Sequence, residues 1–222
     1  MLVRVLEPEV MDSPREARDY DSMDHSEVNR RFVDDFLAAA DRHGCRLAAG
    51  RILDLGTGTA QIPIELVGLR NDVSVLAVDL ADSMLALARR NVESAGFATQ
   101  IRPDRVDAKA LPYAEASFAA VISNSIVHHI PDPQRVLAEA CRVLQPGGLL
   151  FVRDLLRPPD DRQVRWLVES YAAGANEHQR RLFEASLRAA LSLPEIRELV
   201  ATLGHNPDEV QQTSDRHWTW SA

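Results

Sequence analysis

Short apolar runs alternate with amphipathic segments between residues 51 and 154 of the chain. The runs are rich in β-branched residues and predict strands, whereas the segments between them carry apolar residues at helical spacing and predict helices. The predicted strands are residues 51–55, 73–79, 101–108, 118–124 and 149–154, and the predicted helices are residues 59–70, 81–95 and 132–144. This alternation is typical of a parallel sheet covered by helices, so the expected fold class is α/β.

Breaker residues refine two of these elements. The third strand contains Pro103, which cannot donate to a strand ladder and therefore predicts a position nearer the sheet edge. The Gln-Pro-Gly-Gly run at 145–148 predicts the end of a helix, so the fifth strand should begin at residue 149.

The segments outside this block have a different pattern. Residues 1–50 combine a polar, acid-rich start with one predicted helix over 25–43, and residues 2–6 form either a short strand or an arm. Residues 160–203 predict two or three helices. The tail at 208–222 has strand composition, so we expect it to add an antiparallel hairpin to the sheet.

Length and charge restrict the class of protein. A chain of 222 residues suffices for one well-buried α/β domain with added elements, so we expect a single domain. The net charge of −8 argues against a broad binding surface for nucleic acid or for an anionic membrane. We expect no nucleic-acid partner and no membrane association.

The cysteines and the start of the chain indicate the compartment. Cys45 and Cys141 are too far apart in sequence to suggest a metal cluster or a disulfide framework, and they fit a reducing environment. The first residues are too acidic for a signal peptide, and no segment offers about 18 uninterrupted apolar residues. We therefore expect a cytoplasmic protein.

A glycine-rich turn follows the first predicted strand, in the sequence Asp-Leu-Gly-Thr-Gly-Thr-Ala-Gln. A dinucleotide-binding turn requires a glycine at its sixth position, counted from Gly56, where this chain has Gln61. A phosphate-binding P-loop requires Gly-Lys-Ser/Thr, which the turn lacks. The pattern present is acid-x-Gly-x-Gly-x-Ala, formed by Asp54, Gly56, Gly58 and Ala60.

With this pattern, and with the stretch at 111–152, the chain resembles the class I S-adenosylmethionine-dependent methyltransferases, specifically the small-molecule group with a UbiE-like or type 11 core. The resemblance covers roughly residues 50–155. It implies a Rossmann-like, doubly wound, mostly parallel seven-stranded sheet with an antiparallel C-terminal strand and added N-terminal and C-terminal helices. It also implies S-adenosylmethionine as cofactor, S-adenosylhomocysteine as product, and in-line methyl transfer to a small-molecule acceptor.

The resemblance also implies a division of one methyltransferase domain, residues 1–222, into three parts. Residues 1–50 would form an N-terminal arm and a lid helix, and residues 51–155 the cofactor-binding core. Residues 156–222 would supply helices and terminal strands that complete the acceptor pocket. The protein would be a monomer or a homodimer.

Cofactor roles fall, by the same resemblance, at the ends of the predicted strands. Asp54 would meet the α-ammonium group of the cofactor, directly or through water, and Asp79 would accept both ribose hydroxyls. Asp107 would accept the adenine amino group, while Ala108 would offer its backbone N–H. The predicted cofactor-binding residues are Asp54, Gly56, Thr57, Gly58, Asp79, Leu80, Met84, Asp107, Ala108 and Asn124. A role in the helix core explains Met84 equally well.

Catalytic candidates follow the fourth predicted strand. Histidine titrates near neutral pH, so His128 or His129 could act as the base that removes a proton from the acceptor, with His128 slightly ahead. A structural role is the alternative for both. Two adjacent histidines without companion ligands do not predict a metal site, so we expect no metal.

Candidate acceptor-binding residues come from three segments. They are Tyr20, His25, Asn29, Ser125 and Arg153. The first three would lie on an N-terminal lid, unless that segment is a helix without ligand contacts. Arg153 and Asp154 would face the acceptor, with Arg153 binding an anionic or carbonyl group, or the two would form a structural pair with the C-terminal helices.

Other functions stay open at this point. A module that binds S-adenosylmethionine or S-adenosylhomocysteine without methyl transfer would keep the same acids and glycines. A nicotinamide oxidoreductase is disfavoured by Gln61. Methylation of RNA or protein is a lesser possibility.

Overall fold

The computed structural model describes residues 2–10, 12–23 and 25–222. The chain divides into two compact units. The first, here called the core unit, takes in residues 10–124, 135–152 and 221–222. The second, here called the C-terminal unit, takes in the chain up to Glu9 together with residues 125–134 and 153–220.

The described residues form one seven-stranded sheet. Its strands are β1 (Arg51–Leu55), β2 (Ser74–Asp79), β3 (Ile101–Arg105), β4 (Phe118–Asn124), β5 (Leu144–Leu155), β6 (Val210–Gln212) and β7 (His217–Ser221). Their spatial order is β3-β2-β1-β4-β5-β7-β6. Of these described strands, six are parallel and β7 is antiparallel, as the β6–β7 pairing and the reciprocal hydrogen bonds between Leu150 and Ala222 show. The predicted fold class and the C-terminal hairpin are confirmed.

Eight α-helices lie within the described residues. They are α1 (Pro14–Asp21), α2 (Ser26–His43), α3 (Gln61–Leu69), α4 (Asp82–Ser94), α5 (Pro133–Val143), α6 (Asp161–Tyr171), α7 (Glu177–Ala189) and α8 (Leu193–Thr202). Not one of these helices combines the length and the apolar character that a membrane span requires.

Most elements match the predicted positions, with differences at the breakers and in the N-terminal segment. Strand β3 lies at one edge of the sheet, as Pro103 predicts, but ends at Arg105. The predicted start of the fifth strand was wrong, because β5 begins at Leu144. Helix α1 is an element that the sequence did not predict. Residues 2–6 form an arm without strand pairing.

The early start of β5 follows from the close approach of two backbones. A Cβ atom on Gly148 would lie 2.7 Å from the carbonyl oxygen of Ala119. Glycine therefore allows β5 to run close to that backbone, in a position where any larger residue would clash. The glycines that resemble a stop signal in the sequence are part of the strand.

Each unit has its own buried apolar cluster. In the core unit, Phe32 and Phe36 pack edge-on against Phe151, with ring centroids 5.2 and 5.8 Å apart. In the C-terminal unit, Leu167 and Leu187 lie in one cluster of fully or nearly fully buried residues. The β1 strand is buried at four of its five positions because helices cover both faces of a parallel sheet.

Strand order also positions a crevice in the core unit. From β1 the chain proceeds outward to β2 and β3, and then returns to the other side of β1 as β4. Open α/β sheets bind ligands at such a reversal, outside the carboxyl ends of the strands. Asp54, Asp79 and Asn124 lie at these ends.

Candidate functional site

The glycine-rich turn begins where β1 ends and folds over the end of β2. The backbone N–H groups of Gly56 and Thr57 both donate to the carbonyl of Val78 at 2.9 Å. Gly56 and Gly58 have φ values of 69° and 55°, in the left-handed region that glycine adopts without strain. The turn thus exposes backbone rather than side chains to whatever lies above it.

Asp79 fastens this turn through its carboxylate. One oxygen accepts a hydrogen bond from the N–H of Gly58 at 2.8 Å, and the other accepts one from Ala81 at 2.9 Å. Burial raises the pKa of Asp79, while these backbone donors act in the opposite direction. Each oxygen keeps a further lone pair, so the carboxylate is oriented and can still accept two hydroxyl donors.

Asp54 lies almost entirely out of solvent, with 2% of its surface exposed. Burial raises its pKa to about 7, the nearby Thr57 side chain acts in the opposite direction, and the charge of Asp79 raises the pKa further. Among the described residues, no basic side chain is one of the groups that shift this pKa. A buried carboxylate in this setting is stabilised by a cationic ligand or else takes up a proton near neutral pH.

Tyr20, on α1, covers the turn from the solvent side. Its Cε1 atom lies 3.8 Å from the position that a Cβ atom on Gly58 would take. Burial raises the pKa of its hydroxyl, and the charges of Asp79, Asp54 and Asp21 raise it further. The hydroxyl thus feels the charges of both strand-end acids, while 37% of the residue's surface stays exposed.

Helix α1 is held in this position by contacts to α4. Asp21 accepts a hydrogen bond from the side-chain amide of Asn91 at 2.9 Å. Asp12 accepts two from Ser83, one from its backbone N–H at 2.8 Å and one from its hydroxyl at 3.0 Å. Ala17 is fully buried against the first turns of α4. Helix α1 is thus fixed over the turn by specific contacts to α4.

A second polar cluster lies within the C-terminal unit. His128 Nδ1 and Asp154 Oδ1 are 2.5 Å apart, and the same carboxylate accepts hydrogen bonds from the N–H groups of Val127 and Leu155 at 2.6 Å. Burial alone would lower the pKa of His128, but the charge and hydrogen bond of Asp154 outweigh it and raise that pKa. Burial of Asp154 is likewise outweighed by His128, which keeps the pKa of the carboxyl below its usual range.

Glu7 reaches this cluster from the N-terminal arm. Its Oε1 atom lies 3.4 Å from His128 Nε2 and 3.2 Å from His129 Nδ1, and only 8% of its side chain is exposed. Its other oxygen accepts a hydrogen bond from the Ser186 hydroxyl at 3.3 Å. Burial and the neighbouring His128 lower the pKa of His129 to about 4, so this ring is neutral at pH 7.

Comparison with known proteins identifies the part of the chain that carries the glycine turn. Residues 53–152 match the family model for a methyltransferase domain. They form a methyltransferase domain. The resemblance drawn from the sequence is confirmed.

Relatives of known name extend this result. The chain is 32% identical to 27-O-demethylrifamycin SV methyltransferase of Amycolatopsis mediterranei over 149 residues, which are 63% of this chain and 54% of that protein. It is 38% identical to demethylmenaquinone methyltransferase of Thermus thermophilus over 112 residues, half of each chain. The chain thus spans about half the length of the curated relatives that it matches.

The fold has a close counterpart among solved structures. A SAM-dependent methyltransferase from Aquifex aeolicus superposes with a TM-score of 0.68, covering 95% of this chain and 97% of that one, at 16% sequence identity. At this identity the likeness concerns the fold.

The other predicted cofactor residues of the methyltransferase domain have varied surroundings. Met84 is buried against Ala17, Ala81 and Leu87, which is the helix-core role considered as its alternative. Leu80 is half-buried, and Ala108 is buried at 8% exposure. These contacts stabilise the region around the turn whether or not a ligand touches the side chains.

The remaining two predicted cofactor residues differ in their partners. Asp107 pairs with the Lys109 ammonium group at 3.0 Å and accepts a bond from its backbone N–H at 2.9 Å. The Oδ1 atom of Asn124 is buried and has no hydrogen-bond partner within the described residues. The same holds for the hydroxyl of Thr59, which the sequence did not single out. Buried polar atoms of this kind are satisfied in native proteins by ordered water or by a bound ligand.

The predicted acceptor residues lie in different places. His25 and Asn29 lie at the start of α2, and the N–H of Asn29 donates to the His25 carbonyl at 2.9 Å. Arg153 is buried in the C-terminal unit and donates to the Thr219 hydroxyl at 2.9 Å. Ser125 has a left-handed φ of 60° and donates its N–H to the Arg153 carbonyl. Their contact with an acceptor stays a prediction.

Sequence reasoning missed the contribution of Glu7. It lies in the polar lead and is far in sequence from the histidines, and no local spacing links it to them. Asp154 was noted beside Arg153, yet its contact with His128 also depends on the folded chain. The pairing of these groups is a property of tertiary structure.

Proposed function

We propose that this chain transfers a methyl group from S-adenosylmethionine to a small-molecule acceptor in the cytoplasm. The observation that carries the proposal is Asp54, a buried carboxylate beneath a turn of exposed backbone that has no basic partner in the described residues. The α-ammonium group of the cofactor would stabilise the charged form of this carboxylate in place of a proton. Free thiols at Cys45 and Cys141 support a reducing compartment.

The residues present fit this cofactor. Asp54 would hold the α-ammonium group, and the oriented carboxylate of Asp79 would accept the two ribose hydroxyls. At Gly58 the turn presents only backbone, and the Tyr20 ring is the nearest neighbour of that position. Asn124 and Thr59 offer buried oxygen atoms to the donors of the ligand.

The chemistry places modest demands on the protein. Bound S-adenosylmethionine supplies a methyl group on a positively charged sulfur, and the positive charge is lost as the methyl leaves. The protein accelerates such a transfer mainly by alignment and by exclusion of water, which contribute up to about 7–11 kcal/mol in favourable cases. Asp54 and Asp79 would orient the cofactor, while Tyr20 would limit access of water.

The acceptor class is supported by relatives. The matched proteins from Amycolatopsis and Thermus are named for rifamycin and menaquinone precursors, which are small molecules. The acidic net charge of −8 supports the same class over RNA. A base at His128 or His129, and a monomeric or dimeric state, stay predictions.

Titration calorimetry with S-adenosylhomocysteine tests the cofactor site. The chain should bind this ligand, and Asp79→Ala should weaken binding by about 1–3 kcal/mol because two charge-assisted hydrogen bonds are lost. Asp208→Asn is the matched control, since Asp208 is exposed and outside the methyltransferase domain. Binding of NAD in place of S-adenosylhomocysteine would overturn the assignment.

A further inference from the structure

The cluster of Glu7, His128 and His129 has the composition of a metal site. A carboxylate oxygen and two imidazole nitrogens, one from each residue, all lie within 4.8 Å of one another. Two histidines and one glutamate are a ligand set that zinc enzymes use, with the fourth position left to water or substrate. The sequence predicted no metal because the histidines lacked a third ligand, and the folded arm supplies one.

The distances agree with a single ion bound by all three groups. With Zn–N and Zn–O bonds of about 2.0–2.1 Å, neighbouring ligand atoms of a tetrahedron are about 3.3–3.4 Å apart. Glu7 Oε1 lies 3.4 Å from His128 Nε2 and 3.2 Å from His129 Nδ1. Two of the three edges already have the required length.

The ligand atoms are also short of other partners. Within the described chain, Glu7 Oε1 and His129 Nδ1 are buried and lack a hydrogen bond of good geometry, although they face each other. Buried polar atoms of native proteins are nearly always satisfied, by protein, water or ion. An ion between them would satisfy both.

The surroundings hold the ligands in orientation. Asp154 binds the Nδ1 side of His128, which leaves Nε2 for a metal, and two backbone N–H groups fix the carboxylate. This carboxylate–histidine–metal arrangement is the usual support of a zinc-bound histidine. Ser186 holds the second oxygen of Glu7, so that Oε1 points to the histidines.

Charge at the cluster favours a divalent cation. Glu7 and Asp154 bring two negative charges into a buried space around two imidazole rings. In the ion-free cluster a protonated His128 would offset one of these charges, and the guanidinium of nearby Arg4 donates to the backbone carbonyls of Ala189, His128 and Ile130. A metal ion would neutralise the two carboxylates without displacing these bonds.

We propose that Glu7, His128 and His129 bind one first-row divalent transition-metal ion, for which Zn²⁺ is the probe. The ion would link the N-terminal arm to the turn at residues 127–129. The alternative is an ion-free cluster in which a protonated His128 bridges Asp154 and Glu7. The proposal concerns the C-terminal unit alone and does not depend on the proposed methyl transfer.

The test combines metal content with thermal unfolding of the whole chain, prepared without a histidine tag. We expect one Zn²⁺ per chain by elemental analysis, and a melting temperature that rises with added Zn²⁺ and falls with a chelator. Glu7→Gln and His129→Ala should each lower Zn²⁺ affinity at least tenfold. His43→Ala and Glu198→Gln, at exposed positions, should bind as the unaltered chain does.

Two further readouts separate this site from adventitious binding. Co²⁺ in place of Zn²⁺ should give the intense visible absorption of a four-coordinate site, and Glu7→Gln should abolish it. Amide exchange of residues 2–9 should slow when Zn²⁺ is added. Absence of stoichiometric metal in the unaltered chain, or undiminished binding by both ligand variants, would overturn the proposal, and the Co²⁺ spectrum decides the matter if a variant fails to fold.

Discussion

Asp54 and Asp79 end neighbouring strands but have different surroundings. Asp79 spends one lone pair of each oxygen on backbone N–H groups, whereas Asp54 is more deeply buried and has a pKa of about 7. Asp79 therefore holds the turn in shape. The negative charge of Asp54 is unfavourable in its buried position, and a cationic ligand can stabilise it. The sequence gives the positions of both acids but not this division of roles, which depends on burial.

The raised pKa of Asp54 predicts how stability of the ligand-free protein changes with pH. Because the folded-state value of about 7 exceeds the ordinary 3.8, the folded state binds the proton more tightly than the unfolded chain does. This residue's contribution to stability is therefore full below about pH 4 and is lost as pH rises through about 7.

Asp54→Asn should remove that dependence. In thermal unfolding without ligand, the variant should melt above the unaltered protein at about pH 8, with the difference vanishing near about pH 4. Asp208→Asn serves as control. A melting difference that stays constant across this range would contradict a near-neutral pKa at Asp54.

Ala60 is the residue at which the turn departs from its glycine pattern. Its φ of 63° is left-handed, a region that costs a residue with a Cβ about 1–2 kcal/mol. Ala60→Gly should therefore change the free energy of unfolding by less than about 0.5 kcal/mol, because relief of the strain is offset by the greater freedom of glycine in the unfolded chain and by the loss of a fully buried Cβ. Ala95, at a right-handed helix end, is the control, and its change to glycine should destabilise. Urea unfolding measures both, and a loss of stability in Ala60→Gly as large as that in Ala95→Gly would contradict backbone strain at this position.

At the scale of elements, apolar runs predicted the positions of the strands. Proline and glycine predicted strand ends less well, because their effect depends on tertiary contacts. Strands β1 and β4, which are buried along nearly their whole length, lie in the middle of the sheet. Pro103 correctly marked an edge strand, because a missing N–H is tolerated there. The glycines before residue 149 were misread, since the close approach to Ala119 is invisible in the sequence.

The close approach at β5 predicts a large cost for one methyl group. Gly148→Ala would bring a Cβ within 2.7 Å of the Ala119 carbonyl oxygen and within 2.9 Å of that of Gln145. Because both neighbours are backbone, we expect a loss of at least about 2 kcal/mol in urea unfolding. Gly174→Ala, where the added Cβ has no neighbour within 4 Å, should change stability by less than about 0.5 kcal/mol. Equal effects of the two changes would contradict the close approach.

Helix α1 is the element whose role the structure adds. It carries Tyr20 over Gly58, and its contacts to Asn91 and Ser83 hold it there. A lid from this segment was predicted, but its separation from α2 was not, because its eight residues, although amphipathic, are mostly polar and resemble a solvated lead.

Tyr20→Ala should weaken binding of S-adenosylhomocysteine about tenfold, because the aromatic ring no longer covers the ligand. Tyr20→Phe, which keeps the ring, should lose less. Tyr171→Ala, at an exposed position outside the core unit, is the control. Titration calorimetry gives the affinities, and unchanged binding by Tyr20→Ala would remove the helix from the site.

For the molecule as a whole, the sequence predicted the features that depend on neighbouring residues and missed the contacts that join distant segments. The glycine-rich turn and the alternation of strands with helices can be read from patterns within a few residues, and the family match over residues 53–152 and the observed sheet bear out the resemblance and the fold class drawn from them. The contacts of Tyr20 with the turn, and of Glu7 with the histidines, join distant segments and required the folded chain. The division into one domain of three parts stays a prediction.

The central claim is that the chain methylates a small molecule with S-adenosylmethionine. The most direct measurement is incubation with methyl-labelled S-adenosylmethionine and a cell-extract metabolite mixture, followed by mass spectrometry. The account predicts a small molecule that gains the labelled methyl group, with an equal amount of S-adenosylhomocysteine, and loss of both in Asp79→Ala. Tight cofactor binding without any labelled product would contradict methyl transfer and would favour a module that only binds the cofactor.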